Sequence, residues 1–199
     1  MPGKPLFIGI TGGIGSGKTT VCKIFETLGA RTYYADDRAK WLMENDSTLI
    51  EKIKSLFGDK AYEQGKLDRK FIAGQVFQNG DLLEQLNGVV HPAVGDDVHQ
   101  WMIQNQDAKV LLKEAALLFE TGSYKSLDKN ILVTAPKDVR VSRVVARDKH
   151  RTVEDVKAII AKQMSDDEKA PLSDFIIVND ESQSVIKQVI DIHDQLIIT

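Results

Sequence analysis

The segment GITGGIGSGKTT, residues 9–20, constrains this chain more than any other segment. It places five glycines within twelve residues, directly after an apolar run that begins at Leu6. Glycine loses more backbone freedom on folding than any other residue, so the backbone here must turn sharply or approach another group closely. The apolar run at residues 6–10 predicts a buried strand, and the apolar spacing over residues 19–28 predicts a helix. The glycines therefore form the loop between a strand and a helix.

Residues 12–19 fit the pattern G-x-x-x-x-G-K-[ST]. In this pattern the backbone N–H groups of the loop surround a phosphate, and the positive end of the following helix adds to the attraction. Lys18 is expected to reach the outer phosphates, and the Thr19 hydroxyl is expected to bind Mg²⁺. A glycine-rich turn that matches by chance is the alternative, but the predicted strand and helix on either side favour a nucleotide-binding loop.

Strand and helix patterns alternate along most of the chain. Further strands are predicted at residues 30–35, 109–113, 130–134 and 175–178, and helices at residues 139–149, 153–163 and 185–196. This alternation predicts a layered α/β domain with a mostly parallel five-stranded sheet. The stretch between the second and third strands is mostly helical and too long for a simple crossover, so we expect an inserted lobe that glycines and the pair His91-Pro92 interrupt.

Composition excludes several classes of function. The net charge of −3 gives no overall basic field, so we expect no nucleic-acid partner. Cys22 is the only cysteine, which excludes an internal disulfide and a cysteine-rich zinc site. We find no signal-peptide pattern and no apolar run of membrane-spanning length, so we expect a soluble cytoplasmic protein without a membrane partner. Nothing in the sequence indicates an oligomeric state.

A phosphate-binding loop alone does not select a reaction, and acidic residues narrow the choice. The chain has no N-K-x-D motif for guanine, and the predicted strand at residues 109–113 is followed by Glu114 where an aspartate is typical. Asp36 follows the second predicted strand, at the sheet edge where ligands bind, so it can accept a proton from an attacking hydroxyl or help to hold Mg²⁺. The alternative role for Asp36 is to cap the next helix. Either Glu114 or Glu120 is a candidate to lie near the metal.

Three arginines share one face of a predicted helix, because Arg140, Arg143 and Arg147 are spaced i, i+3 and i+7. In a kinase, such a stripe lies on a lid that closes over the phosphates and stabilises the charge in transfer. The alternative is a solvated basic face of a surface helix.

These features together resemble the dephospho-CoA kinase family, in order and over nearly the whole chain. The resemblance rests on TGGIGSGKTT, Tyr34-Ala35-Asp36, Gly65-Lys66-Leu67-Asp68-Arg69, His91-Pro92, Leu117-Leu118-Phe119-Glu120, Arg143-x-x-x-Arg147 and Gln163. It implies an enzyme that transfers the γ-phosphoryl group of ATP to the 3′-hydroxyl of dephospho-CoA, with Mg²⁺, as the last step of coenzyme A synthesis.

The resemblance also implies an architecture. The implied fold is an α/β fold of the P-loop NTPase type. It has a three-layer α/β/α core with a mostly parallel five-stranded sheet, together with a helical inserted lobe and a helical lid. The expected core is residues 1–38, 106–136 and 172–199, the acceptor-binding insert is residues 39–105 approximately, and the lid is residues 137–171 approximately.

The resemblance assigns site residues by position. Asp36 matches the catalytic carboxylate, and with Arg69 and His91 it is expected to contact the acceptor. Arg143 and Arg147 match lid positions and are expected to act, with Lys18, on the transferred group. The expected ATP-binding residues are Gly13, Ile14, Gly15, Ser16, Gly17, Lys18, Thr19, Thr20 and Asn179, and Thr19 is the expected metal ligand.

Two positions depart from the family pattern. The family usually reads Asp-Ala-Asp where this chain has Tyr34-Ala35-Asp36, so the first carboxylate is absent or replaced by Asp37 or Glu114. The family usually reads Asn-x-Gly where this chain has Asn179-Asp180-Glu181, so a glycine is missing. Two other functions stay open: a kinase for another small acceptor, such as a nucleoside monophosphate or shikimate, and a nucleotide-binding switch or regulatory ATPase without an acceptor.

Overall fold

The computed structural model of the chain describes residues 4–198, except for the side chains of Gln78 and Ile198. The chain divides into two compact units. One, which we call the core unit, contains the residues up to Tyr34 and those from Asn105 onward; the other, the inserted unit, is Ala35–Gln104. Residues 35–38, expected in the core, belong to the inserted unit, and residues 137–171 belong to the core unit.

Helices and strands alternate along the core unit, and short strands also occur in the inserted unit. The strands are β1 Leu6–Thr11, β2 Arg31–Tyr34, β3 Tyr62–Glu63, β4 Lys66–Leu67, β5 Val110–Glu114, β6 Lys129–Thr134 and β7 Phe175–Val178. The helices are α1 Lys18–Thr27, α2 Ala35–Asn45, α3 Ser47–Phe57, α4 Arg69–Gln78, α5 Gly80–Gln104, α6 Lys137–Arg147, α7 Val153–Lys162, α8 Asp166–Lys169 and α9 Val185–Ile198. In the described part of the chain, no helix has the length and apolar character needed to span a membrane.

A five-stranded sheet organises the core unit, in the order β2-β5-β1-β6-β7. Every pair of neighbouring strands is parallel, so the expected parallel five-stranded sheet is confirmed, with each strand within one residue of its expected bounds. Strand β1 lies in the centre and is buried from Phe7 onward, which suits a strand covered on both faces. Since the carboxyl ends of parallel strands meet at one edge, the loop that follows β1 starts at the middle of that edge.

Helix α1 is held against the sheet by an apolar core. Ile8 and Ile10 point to the same face of β1 because alternate residues of a strand share a face, and both are fully buried there. Phe25 of α1 and Val189 of α9 pack in the same cluster. Burying one such side chain stabilises the fold by about 1.5–3 kcal/mol. The start of α1, directly after the glycine-rich loop, is therefore fixed relative to β1.

The inserted unit has its own apolar core, which includes Leu42, Leu49, Ile53 and Val90. The expectation that His91-Pro92 interrupts a helix is wrong, because both residues lie inside the 25-residue helix α5. Proline removes one helical hydrogen bond, but α5 packs along α2, α3 and α4, and these contacts hold the helix through that position. The short antiparallel pair β3–β4 was not predicted, since each strand has only two residues.

Two non-glycine residues between positions 4 and 198 have a left-handed backbone, Gln64 with φ of 50° and Glu181 with φ of 71°. Gln64 precedes Gly65 in the turn between β3 and β4, where this conformation is usual. Glu181 lies between β7 and α9, at the position where the family pattern has glycine. A left-handed conformation costs a residue with a Cβ about 1–2 kcal/mol. The loop thus keeps a glycine conformation without the glycine.

We expect Glu181→Gly to raise the free energy of unfolding by about 1 kcal/mol, because glycine adopts this conformation without a Cβ clash. The ion pair that is lost joins Glu181 Oε1 to the Arg143 guanidinium at 3.7 Å, and the Glu181 side chain is 85% exposed, so its loss changes stability little. Urea unfolding followed by circular dichroism measures the difference. The control is Gln183→Gly in the same loop, where φ is negative and glycine should lower stability. Equal stabilities of the two variants would contradict the prediction.

Candidate nucleotide-binding site

The loop between β1 and α1 has the backbone that its glycines predict. Gly12, Gly15 and Gly17 have φ of 150°, 80° and 100°. Gly17 precedes the first residue of α1, Lys18, and no side chain caps this end of the helix. The first N–H groups of a helix have no partner within the helix, and they carry the positive end of its dipole. The loop and the start of α1 therefore present N–H donors suited to an anion.

The glycines are also required by other parts of the protein that lie against the loop. A Cβ on Gly13 would overlap the guanidinium of Arg140, and a Cβ on Gly17 would overlap the side-chain amide of Asn179. A Cβ on Gly15 would lie 2.5 Å from the Arg140 carbonyl oxygen. The protein itself, and not only a bound phosphate, thus approaches this backbone too closely for side chains.

Lys18 is the first residue of α1, directly after the loop, and its side chain is largely buried. Its Nζ donates a hydrogen bond of 3.1 Å to the Gly12 carbonyl oxygen and lies 3.7 Å from Glu114 Oε1. Glu114, the last residue of β5, is also buried. Of the two glutamates considered from the sequence, Glu114 is thus the one beside the loop lysine. Glu120 instead pairs with Lys169 at 3.0 Å and accepts a hydrogen bond from the Met164 N–H.

The residues at the loop fit the ligand preferences of Mg²⁺, which takes oxygen ligands. Thr19 is exposed in the first turn of α1, and the Glu114 carboxylate lies beside Lys18. The hydroxyls of Thr11 and Ser16 are buried without a hydrogen-bond partner in the structure. Across the described residues, no three His, Cys, Asp or Glu side chains form a metal-binding group.

Asn179 and Arg143 join the end of β7 to the loop. The Asn179 side-chain amide donates a hydrogen bond of 2.8 Å to the Ser16 carbonyl oxygen. Arg143 donates to the Asn179 carbonyl oxygen at 3.0 Å and to its side-chain oxygen at 3.4 Å. The structure therefore brings two expected site residues, one from α6 and one following β7, to the expected phosphate loop.

The arginines of α6 differ in their surroundings. Arg140 is buried and Arg143 is half-buried, so the interpretation of a fully solvated basic face is wrong for both. Arg147 is exposed, and its side chain forms no hydrogen bond or ion pair with another described residue. Helix α7, which follows, starts with a capping box: Thr152 accepts a hydrogen bond from the Asp155 N–H, and the Asp155 carboxylate accepts one from the Thr152 N–H.

The remaining expected site residues lie in the inserted unit, and all three are exposed. Asp36 lies in the first turn of α2, which begins at Ala35, and its carboxylate accepts no capping hydrogen bond from a described residue. Arg69 is the first residue of α4 and pairs with Glu44 at 3.0 Å. His91 lies on α5. Asp36 therefore does not cap α2.

Tyr34 occupies the position at which the family pattern has its first aspartate. Its hydroxyl donates a hydrogen bond of 2.9 Å to Glu26 Oε1, and burial raises the pKa of the phenol, so it stays neutral. In the sheet, Tyr34 is the register partner of Glu114 on β5. Asp37, the other candidate for the missing carboxylate, is exposed and pairs with Lys40. Within the core unit, two carboxylates thus lie next to this position: Glu26, which accepts the Tyr34 hydrogen bond, and Glu114, the register partner of Tyr34.

Sequence reasoning missed two contacts at the apex of the loop. The Ile14 N–H donates a hydrogen bond of 2.9 Å to Gln163 Oε1, and the Ile14 carbonyl oxygen accepts one of 3.0 Å from Arg140 Nε. Both side chains were noted, Arg140 in the basic stripe and Gln163 in the family pattern, but neither was assigned to Ile14. No local pattern links positions so distant in sequence.

Known proteins resemble this chain over nearly its full length. The family model described as "Dephospho-CoA kinase" matches residues 6–184. A protein of Bacteroides fragilis (strain YCH46) named dephospho-CoA kinase is 34% identical over 185 residues, which cover 93% of this chain and 90% of that protein. A crystal structure from Thermus thermophilus aligns with a TM-score of 0.87 at 33% identity, covering 97% of this chain and 98% of that one. The structure of a dephospho-CoA kinase from Campylobacter jejuni aligns with a TM-score of 0.70 at 29% identity, covering 96% of each chain. The chain therefore belongs to the dephospho-CoA kinase family, whose members are phosphotransferases.

Proposed function

We propose that this chain transfers the γ-phosphoryl group of ATP to the 3′-hydroxyl of dephospho-CoA, in the presence of Mg²⁺, and so forms coenzyme A in the cytoplasm, where ATP is available. The observation that carries the proposal is the loop between β1 and α1, with its N–H donors and Lys18, in a chain of the dephospho-CoA kinase family. ATP and dephospho-CoA are the proposed partners, without nucleic acid or a membrane.

The core unit supplies the groups that bind ATP. The loop N–H groups and the start of α1 surround the phosphates, and Lys18 adds a positive charge at their outer end. Asn179, which is bonded to the loop at Ser16, is placed to contact the nucleotide from the end of β7. The Thr19 hydroxyl and the Glu114 carboxylate are the groups that would hold Mg²⁺. When bound, Mg²⁺ supplies positive charge that neutralises the phosphate oxygens.

The inserted unit supplies the groups for the acceptor. Asp36 is exposed and lies two residues after the end of β2, so chain connectivity keeps its Cα within about 7 Å of the Cα of Tyr34. We assign to its carboxylate the role of orienting the ribose 3′-hydroxyl and accepting its proton. The positive charge of Arg69 suits the acceptor's phosphates, and exposed His91 is a second acceptor contact.

The arginines of α6 complete the proposal. Residues 137–171 form the proposed lid, on which Arg143 and Arg147 face the transferred group. Arg143 is joined to the loop through Asn179, whereas Arg147 is free of partners among the described residues and thus able to reach a phosphate. Phosphoryl transfer needs little covalent help from a protein, so positioning and charge stabilisation provide most of the rate enhancement.

An assay with and without the acceptor tests the function. We expect ADP release to match the formation of a product that is heavier than dephospho-CoA by one phosphoryl group, detected by mass spectrometry. Coenzyme A, whose 3′-hydroxyl is already phosphorylated, serves as the matched control and should stimulate no ADP release. Faster ADP release with shikimate or a nucleoside monophosphate would instead identify a kinase for another acceptor. ADP release that no acceptor changes would identify an ATPase without one.

We expect Asp36→Asn to lower kcat by about a hundredfold to ten-thousandfold, the range that a general base contributes. ATP affinity should stay unchanged, because Asp36 does not belong to the phosphate loop. Steady-state kinetics and calorimetric titration of an ATP analogue measure both quantities. The control is Asp37→Asn, the neighbouring exposed carboxylate, which should retain its activity. A kcat within a few-fold of wild type for Asp36→Asn would remove Asp36 from the proposed base role.

We expect Lys18→Ala to weaken ATP binding and to lower kcat by about a hundredfold or more, since it removes a charge aimed at the phosphates. The same titration and kinetic measurements apply. Lys23→Ala, which removes an exposed lysine elsewhere on α1, is the matched control and should behave as wild type. Unchanged ATP affinity in Lys18→Ala would show that the loop does not hold the nucleotide as proposed.

A further inference from the structure

The apex of the phosphate loop is held by side chains from the segment that contains α6 and α7. Arg140 donates to the Ile14 carbonyl oxygen at 3.0 Å, and Gln163 accepts from the Ile14 N–H at 2.9 Å. The peptide group between Gly13 and Ile14 has a second partner. Its N–H, on Ile14, donates to Gln163, and its carbonyl oxygen, on Gly13, accepts a hydrogen bond of 3.1 Å from the Ser16 N–H. Each of these peptide orientations is therefore set by a specific partner.

The contact at the Ile14 carbonyl has a consequence for the next N–H. The peptide bond between Ile14 and Gly15 is trans, so the Gly15 N–H points opposite to the Ile14 carbonyl. Arg140 Nε holds that carbonyl, so the Gly15 N–H points away from the Arg140 guanidinium. A charged donor on the carbonyl also polarises the peptide and makes its N–H a stronger donor. An anion-binding loop of this kind depends on N–H groups that are oriented by the rest of the protein.

Arg140 has little freedom to move. Its side chain is 8% exposed, and its guanidinium fills the space that a Cβ on Gly13 would need. One of its nitrogens lies 3.6 Å from Asp166 Oδ2. Burial raises the pKa of Asp166, while the positive charges of Arg140 and Lys169 act in the opposite direction. The guanidinium is thus fixed between a half-buried carboxylate and the loop.

Gln163 is anchored through its neighbours. The next residue, Met164, donates its N–H to Glu120 at 3.0 Å, and Glu120 pairs at 3.0 Å with Lys169, whose side chain is fully buried. These contacts tie the residues after α7 to the segment that follows β5, so the Gln163 side chain reaches Ile14 from a supported backbone.

We propose that Arg140 and Gln163 are positioning residues that preset the peptide groups on both sides of Ile14 for the phosphates of ATP. Residues 137–171 therefore set ATP affinity through the shape of the loop, in addition to any direct contact of Arg143 or Arg147 with the transferred group. The inference rests on the proposed function only in taking ATP as the ligand of the loop.

Two variants test the inference from opposite ends of Ile14. Gln163→Leu removes the acceptor of the Ile14 N–H at a half-buried position. Arg140→Gln combined with Asp166→Asn removes the guanidinium that donates to the Ile14 carbonyl without leaving a half-buried carboxylate unpaired. Arg151→Lys is the matched control, because Arg151 lies in the same segment but its side chain pairs with Asp148, at 2.9 Å, and with no other residue that the structure describes. Thermal unfolding establishes that each variant is folded, and Gln163→Leu decides the test if the double variant is not.

The readouts are the Kd of a non-hydrolysable ATP analogue, amide hydrogen exchange at Ile14 and Gly15, and the KM of each substrate. In both test variants we expect the analogue Kd to rise about tenfold, as loss of one ordinary hydrogen bond does, with exchange at Ile14 faster by a similar factor. The KM for dephospho-CoA should stay within twofold, and the control should match wild type. A merely structural role would raise both KM values together.

An analogue Kd and Ile14 exchange within twofold of wild type in a folded Gln163→Leu variant would overturn the inference. An equal loss of ATP and dephospho-CoA affinity would do the same. The analogue titration and the exchange measurement need no acceptor, so they decide the inference even if dephospho-CoA is not phosphorylated. In that case only the proposed acceptor is wrong.

Discussion

The structure depends on one constraint: other groups must approach the backbone of the loop between β1 and α1 very closely. The loop must present N–H groups to an anion, and Arg140 and Asn179 occupy the space where side chains at positions 13 and 17 would lie. An alanine at either position would therefore displace a hydrogen-bonded neighbour even before a nucleotide binds. The glycines are needed to assemble the site as much as to admit the phosphates.

The parallel sheet explains why residues far apart in sequence reach this loop. The carboxyl ends of parallel strands meet at one edge, so residues that follow different strands converge there. Glu114 ends β5 on one side of β1, whereas Asn179 follows β7 on the other side. The edge thus provides a carboxylate beside Lys18 and an amide bonded to Ser16, while α6 adds the arginines.

The sequence predicted the elements whose patterns are local and strong. The strands of the core unit are short apolar runs, and each was located within one residue, as was the loop after β1. The interruption at His91-Pro92 was wrong because packing along α5, which no local pattern records, outweighs the hydrogen bond that proline removes. The contacts of Arg140 and Gln163 with Ile14 were not predictable, since they depend on how distant segments fold together.

The two departures from the family pattern show which features of the site depend on backbone and which depend on side chains. Glu181 keeps a left-handed backbone although it has a Cβ, because Asn179 just before it is held by Ser16 and Arg143 and thereby fixes the course of the loop. The local cost of about 1–2 kcal/mol is small enough for the surrounding contacts to offset. At Tyr34 a carboxylate is lost outright, and a neutral phenol cannot replace its charge. Two carboxylates of the core unit lie next to this position: Glu26, which accepts a hydrogen bond from the Tyr34 hydroxyl, and Glu114, the register partner of Tyr34. Of these two, Glu114 is the one that also lies beside Lys18.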